Sequence, residues 1–194
     1  VSHVIEAAEY CDRLQTALKD IDLEGIADVI GLIDTAWREG RQIIVFGNGG
    51  SALTALHYIT DWNKSIPLMT GRAFRGRTLV DNIGLLTAFS NDVSYEDVFV
   101  EQLRFLLNPG DLVIAISGSG NSPNVLAGAR FARDAGAKVV AIVGYGGGKL
   151  RPIADAAFTV PVRDMQICED LHFTFGHIVM RSLTAAVMPA LATS

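Results

Sequence analysis

The chain reads as an α/β protein of three layers, with helices on both sides of a parallel sheet. Hydrophobic runs alternate with helical patterns along its length. Two glycine-serine loops, Gly47-Asn48-Gly49-Gly50-Ser51 and Ser117-Gly118-Ser119-Gly120-Asn121-Ser122, each follow a hydrophobic run and precede a helical pattern. In a parallel sheet such loops lie at the carboxyl edge, where the helix behind each aims its free N–H groups and positive dipole end at a ligand. Glycines let the backbone approach an anion closely, and serines add hydroxyl donors. A phosphorylated small molecule is the expected ligand.

Taken in order, Val4, Ala7, Ala8, Cys11, Leu14 and Leu18 repeat at helical spacing, and Ile26, Ile30, Ile33 and Ala36 do so again before Gly40. Two helices therefore precede the first strand, Gln42 to Phe46. A helix from about Ala52 to Lys64 comes next, then a loop holding Pro67 and residues 71–77, and a short strand near Thr78 to Val80. Asp92 is expected in a loop at the carboxyl edge. A helix from Tyr95 to Leu107 stops at Asn108-Pro109-Gly110, ahead of a strand from Leu112 to Ile116. Helical pattern returns from Pro123 to Ala135 and closes at Gly136. Lys138 to Val143 is a β-branched run suited to a buried parallel strand. Gly144 to Gly148 turns the chain, Lys149 to Ala154 reads as a short helix, Ala157 to Val160 as the last strand and Asp170 to Ala190 as a long apolar helix.

The length of 194 residues suits one domain, 1–194, with 1–40 as its N-terminal helices. A net charge of −5 and scattered Lys and Arg residues leave no basic stripe for nucleic acid. Cys11 and Cys168 lie far apart without CxxC spacing, which argues for a reducing compartment, the cytoplasm, while leaving a disulfide open. No stretch is long enough to span a bilayer, and Val1 to Asp22 lacks the apolar core of a signal peptide. Hydrophobic residues nonetheless make up 49%, with a mean hydropathy of +0.31, so apolar surface is expected to be buried between copies of the chain.

A dinucleotide-binding fingerprint fails on detail, because GxGxxG spacing puts a glycine where Ala52 stands and no acidic residue closes a following strand about twenty positions later. A Walker loop is absent too. The motifs that do assemble are Gly47 to Ser51 with His57 six residues on, Ser90-Asn91-Asp92, Ser117 to Asn124, Gly146-Gly147-Gly148-Lys149, and Glu169-Asp170-Leu171-His172 leading to Gly176-His177. In this order they resemble the SIS (sugar isomerase) domain, and within it the phosphoheptose isomerase family, over nearly the whole chain. The resemblance implies a five-stranded parallel sheet between helices. It also implies a homotetramer whose N-terminal helices bundle at the centre, with active sites near subunit boundaries.

On spacing alone, His57 and Asp61 share one helix face and offer an imidazole and a carboxylate to a divalent metal; an ordinary hydrogen-bonded pair has the same spacing. The resemblance extends the set to His57, Asp61, Glu169 and His177, holding one zinc per subunit, where the family uses a glutamate and a glutamine in place of Asp61 and Glu169. It also implies Asp61 and His177 as the acid–base pair of an aldose-ketose isomerisation. Asn48, Gly49, Gly50, Ser51, Ser117, Gly118, Ser119, Ser122, Asp92 and Glu169 would bind the substrate. Ser122, just before Pro123, also fits a plain helix cap. His172 reads as structural or as a hydrogen bonder facing the substrate. Where the family carries an arginine near the phosphate, this chain has Asn63-Lys64-Ser65, so that cation is either missing or supplied by Lys64. Arg72, Arg75 and Arg77 are either surface charges or reach a phosphate across a subunit boundary.

The expected activity is interconversion of sedoheptulose 7-phosphate and D-glycero-D-manno-heptose 7-phosphate, feeding a heptose-containing glycan or metabolite. Isomerisation of a related sugar phosphate is the nearest rival. A non-catalytic SIS protein, acting as a sugar-phosphate-binding regulator or an adaptor, is the rival from another class.

Overall fold

The computed structural model describes residues 2–185. Its elements are α1 (His3–Lys19), α2 (Leu23–Arg38), β1 (Ile43–Gly47), α3 (Gly50–Thr70), β2 (Gly76–Thr78), α4 (Ile83–Asp92), α5 (Val98–Leu106), β3 (Leu112–Ser117), α6 (Pro123–Asp134), β4 (Lys138–Val143), a 3-10 turn (Arg151–Ile153), β5 (Ala156–Thr159) and α7 (Met165–Thr184). The strands pair in the order β2-β1-β3-β4-β5, all parallel, with Ile43 opposite Leu112 and Leu112 opposite Lys138. Every residue of β1 and β3 is buried, which is why both read as unbroken apolar runs.

The strand order reverses between β1 and β3. The helices that leave them pack on opposite faces: α3 lies with α7 on one side, α6 with α5 on the other. The crevice at such a reversal is where open α/β sheets bind ligands, and both glycine-serine loops open into it. The loop after β4 is laced to the same place, since Gly144 N donates to Gly118 O at 2.9 Å and Leu150 N to Gly120 O at 3.0 Å.

The structure moves several boundaries. α3 runs past Lys64 and through Pro67, because Ile66 is drawn fully into the core and the helix then ends on Gly71 at φ 72°, whose N–H reaches Pro67 O. Proline removes one internal bond, and core packing outweighs that loss near the helix end. The first short strand therefore begins at Gly76. The stretch read as a loop around Asp92 is α4, capped by Asn82, whose side chain accepts from Leu85 N; Asp92 is its last residue. The helix beyond it starts at Val98 rather than Tyr95, and the short helix after Lys149 is only the 3-10 turn.

The last helix begins at Met165, five residues before the expected start, because Asp164 caps it by accepting from Ile167 N. The expected end at Ala190 lies outside the described residues. Tyr58 and Trp62 of α3 donate to the carbonyls of His172 and Gly176, the second at 2.9 Å, and fasten α3 along α7. A Cβ on Gly176 would collide with the Tyr58 ring, so a glycine is what permits this approach.

Candidate active site

The first feature is a concave pocket of about 260 Å³ between the two glycine-serine loops. Asn48, Gly49, Gly50 and Ser51 line one wall, Ser117, Gly118, Ser119 and Ser122 the other, and Met165 and Glu169 of α7 close it. Gly49 caps α3 with no side chain, so nothing of its own competes for the amides at that helix start. Ser122 stands at the N-cap position of α6 but makes no capping bond. Its Oγ lies 3.4 Å from Ser117 Oγ instead, leaving two hydroxyls side by side at the pocket. A plain capping role for Ser122 is thus set aside. The Glu169 carboxylate lies against Gly50, where any Cβ would collide with it.

The second feature lies further down α3. His57 Nε2 and His177 Nε2 are 3.0 Å apart, and one ligand atom from each of His57, Asp61 and His177 falls within 4.8 Å of the others. Phe173 sets this geometry. Its ring stacks on His57 at 4.1 Å and meets His177 edge-on at 5.3 Å, one helical turn away on α7. Burial first, and the nearby His177 second, lower the pKa of the His57 imidazole from its usual value, with Asp61 opposing them. Asp61 accepts from Ser65 Oγ at 2.9 Å. Two imidazoles and a carboxylate so close together suit a divalent metal, since ligand atoms of one tetrahedral ion stand roughly 3.3 Å apart. Glu169 is not part of this cluster. With α7 starting at Met165, it sits in regular helix and about 12 Å of helix rise separates it from His177.

Asp92, at the exposed end of α4, is not among the residues lining either cleft at this edge, and it accepts from Asn91 Nδ2 at 2.7 Å. Arg72 and Arg75 lie at the opposite, amino end of the sheet. Arg72 bonds Arg38 O and covers Trp37, while Arg75 donates to Gly40 O at 2.9 Å. Within this chain they cannot face the serine loops. Lys64 is exposed, and its charge is felt at His57. His172 is 1% exposed, and burial, outweighing a backbone contact with Val143, lowers its pKa to about 4. Of its two roles, the structural one fits. Phe173 was not foreseen, although its spacing of four from His177 signals a shared face.

Residues 8–144 match the SIS domain family. Over 173 residues the chain is 36% identical to the phosphoheptose isomerase of Aquifex aeolicus, covering 86% of this chain and 87% of that one. Among solved structures, a phosphoheptose isomerase from Neisseria gonorrhoeae superposes with a TM-score of 0.82 at 28% identity, covering 92% of this chain and 96% of that one. One from Francisella tularensis shares the fold with a TM-score of 0.87 at 22% identity, covering 95% and 100%. Among the described residues no helix is long and apolar enough to cross a membrane.

Proposed function

The chain belongs to the phosphoheptose isomerases of the SIS-domain family, and from that premise we propose that it interconverts sedoheptulose 7-phosphate and D-glycero-D-manno-heptose 7-phosphate. It is a sugar-phosphate isomerase, and its substrate is a phosphosugar. The observation that carries the substrate choice is the spacing of the two features. Ser51 opens the phosphate pocket and His57 opens the histidine-carboxylate cluster, six residues apart on one helix, or about 9 Å. An extended carbon chain gains roughly 1.3 Å per bond, so a seven-carbon sugar with its phosphate between the serines brings its far, carbonyl end to His57 and His177.

Ketose-aldose exchange moves one proton between adjacent carbons and another between their oxygens. The Asp61 carboxylate takes the proton from the carbon beside the carbonyl, and His177 supplies one to the carbonyl oxygen, giving the enediol. Return of the proton to the neighbouring carbon by Asp61, with loss of the other hydroxyl proton to His177, completes the isomerisation. Ser65, bonded to Asp61, fixes which way the carboxylate turns. His57, Asp61 and His177 would hold zinc, one ion per subunit; a bound ion would polarise the carbonyl as a Lewis acid and take over the part that a proton from His177 plays in the metal-free protein. Serine hydroxyls and the amides at the start of α3 hold the phosphate and keep the reacting end in place.

The working form is a cytoplasmic homotetramer. In support, α1 buries only Ala17 across its 17 residues, and Val4 and Ile5 stand 77% and 55% exposed, so its apolar side is free to meet other copies. The test is incubation of metal-replete protein with sedoheptulose 7-phosphate while NMR follows the aldose anomeric proton. Asp61→Asn and His177→Ala should each remove turnover while leaving the fold intact. Wild-type protein that binds the sugar phosphate without forming aldose would overturn the catalytic reading in favour of a regulator or adaptor.

A further inference from the structure

Outside the phosphate pocket, a second cleft of about 630 Å³ opens between the start of α3 and the exposed helix α4, and it is largely apolar. It meets the phosphate pocket at Asn48 and Gly49, which line both. One polar side chain from the far wall reaches that junction. Tyr95 Oη lies 3.0 Å from Asn48 Oδ1, and the tyrosine is 59% exposed to the cleft.

The bonds around Asn48 admit one assignment of protons. Val125 N donates to Asn124 Oδ1 at 2.9 Å, so that atom of the buried Asn124 amide is its oxygen. Asn48 Nδ2 therefore donates to Asn124 Oδ1 at 2.8 Å, and Asn124 Nδ2 returns a bond to Asn48 Oδ1 at 2.9 Å. Asn48 Oδ1 carries no proton, so the Tyr95 hydroxyl must donate to it. Two consequences follow. The Asn48 amide is locked from both sides with one N–H left uncommitted, and the Tyr95 oxygen, its proton engaged, has lone pairs available only to accept.

We propose that Tyr95 is a positioning residue for the sugar chain, acting through Asn48 and selecting for a hydroxyl at the junction of the two clefts. A hydroxyl both accepts and donates, so it matches the Asn48 N–H together with the Tyr95 oxygen. A methylene matches neither, and a phosphate dianion can accept from the Asn48 N–H but has no proton to give the Tyr95 oxygen. This rests on the isomerase reading, because a phosphate held between the serine loops is what brings a chain hydroxyl beside Asn48.

Four proteins test it: wild type, Tyr95→Phe, Asn48→Ala and the double variant. Tyr95→Phe deletes only the hydroxyl of an exposed side chain and should leave the melting temperature unchanged. Loss of the lock and of one acceptor should raise KM for sedoheptulose 7-phosphate about tenfold with little change in kcat. In the Asn48→Ala background the same change should cost less, since the part of its effect that runs through Asn48 is already gone and only the Tyr95 acceptor remains to be lost. Calorimetry with the alditol 7-phosphate made by reducing the ketose, which has no carbonyl to enolise, should show the same tenfold loss. Inorganic phosphate should bind wild type and Tyr95→Phe alike. Equal alditol phosphate affinity in the two proteins overturns the assignment, as does an equal loss for inorganic phosphate, which would mark a general disturbance of the loop. Alditol phosphate binding that depends on Tyr95, in a wild-type protein without turnover, would sink the isomerase reading and leave this assignment standing.

Discussion

His57 and His177 face one another through their Nε2 atoms at 3.0 Å, brought together by two helices that are 120 residues apart in sequence. Without a metal, one imidazole must donate to the other. With a metal, both nitrogens become ligands and the hydrogen bond is exchanged for coordination. Replacing either histidine by alanine should therefore cut zinc content from about one ion per chain to near zero, with little effect on the melting temperature of metal-free protein. Because burial and His177 depress the pKa of His57, that ligand stays neutral below its ordinary titration range. Zinc should nevertheless be lost as the pH falls through the imidazole range, about 6.5 for an unperturbed histidine, because both rings must be neutral to bind it. Metal analysis after dialysis across that pH range decides it. Full zinc retention in His177→Ala would remove His177 from the site.

Glu169 gives a separate expectation. Its carboxylate lies at Gly50, on the wall of the pocket assigned to phosphate, where two like charges a few ångströms apart cost about 1 kcal/mol in a solvated setting. Glu169→Gln should lower KM for the sugar phosphate about fivefold, leaving zinc content unchanged because Glu169 stands apart from the His57, Asp61 and His177 cluster. A raised KM with loss of zinc would instead show that Glu169 swings down to the metal.

What was legible in the sequence follows from where the physics is local. The strands β1, β3 and β4 were placed to within a residue because each is an unbroken apolar run closed by glycine or serine. Nearly all of the residues expected to hold phosphate line one pocket, since loops directly after neighbouring strands share one sheet edge. The middle of the chain was harder. The Pro67 turn was read as a helix end, and the burial of Ile66 that overrides it is a tertiary effect with no local sign. The start of α7 was missed although Asp164 is an ordinary capping residue, and that shift is what separates Glu169 from His177. Tyr95 acts through a distant element that nothing next to it in sequence points to, whereas for Phe173 only the stacking on His57 is distant and its place beside His177 on α7 was there to be read.

Gly176 should tolerate no side chain. A Cβ there would meet the Tyr58 ring just where Tyr58 and Trp62 bind the carbonyls of α7, so Gly176→Ala must push α3 and α7 apart. The expected cost is about 1–3 kcal/mol, a fall of several degrees in melting temperature for a chain of this size. His177 is the next residue, so zinc affinity should weaken as well. An unchanged melting temperature would mean that the two helices are held less closely than this contact implies.

His172 ties stability to acid. It is buried beside Phe158 with at most a backbone contact to Val143 for its ring, and burial lowers its pKa to about 4, against about 6.5 for an imidazole in the unfolded chain. The folded value is the lower one, so between pH 6.5 and 4 the unfolded chain holds a proton that the native chain does not. Stability from this residue is complete above about pH 6.5, drains away as pH falls and levels off below about pH 4. The integrated loss is on the order of 3 kcal/mol. Leucine is close to histidine in size and has no polar atom to leave unsatisfied, so His172→Leu should be at least as stable at pH 7 and should lack this part of the acid limb. Urea unfolding of the two proteins at several pH values from 7 to 4.5 gives the difference directly, because every other titrating group is common to both. An NMR titration of the His172 ring in the wild type supplies an independent reading. Parallel stability curves, or a ring that titrates near 6.5 in the folded protein, would show that water reaches His172 and that its burial is incomplete.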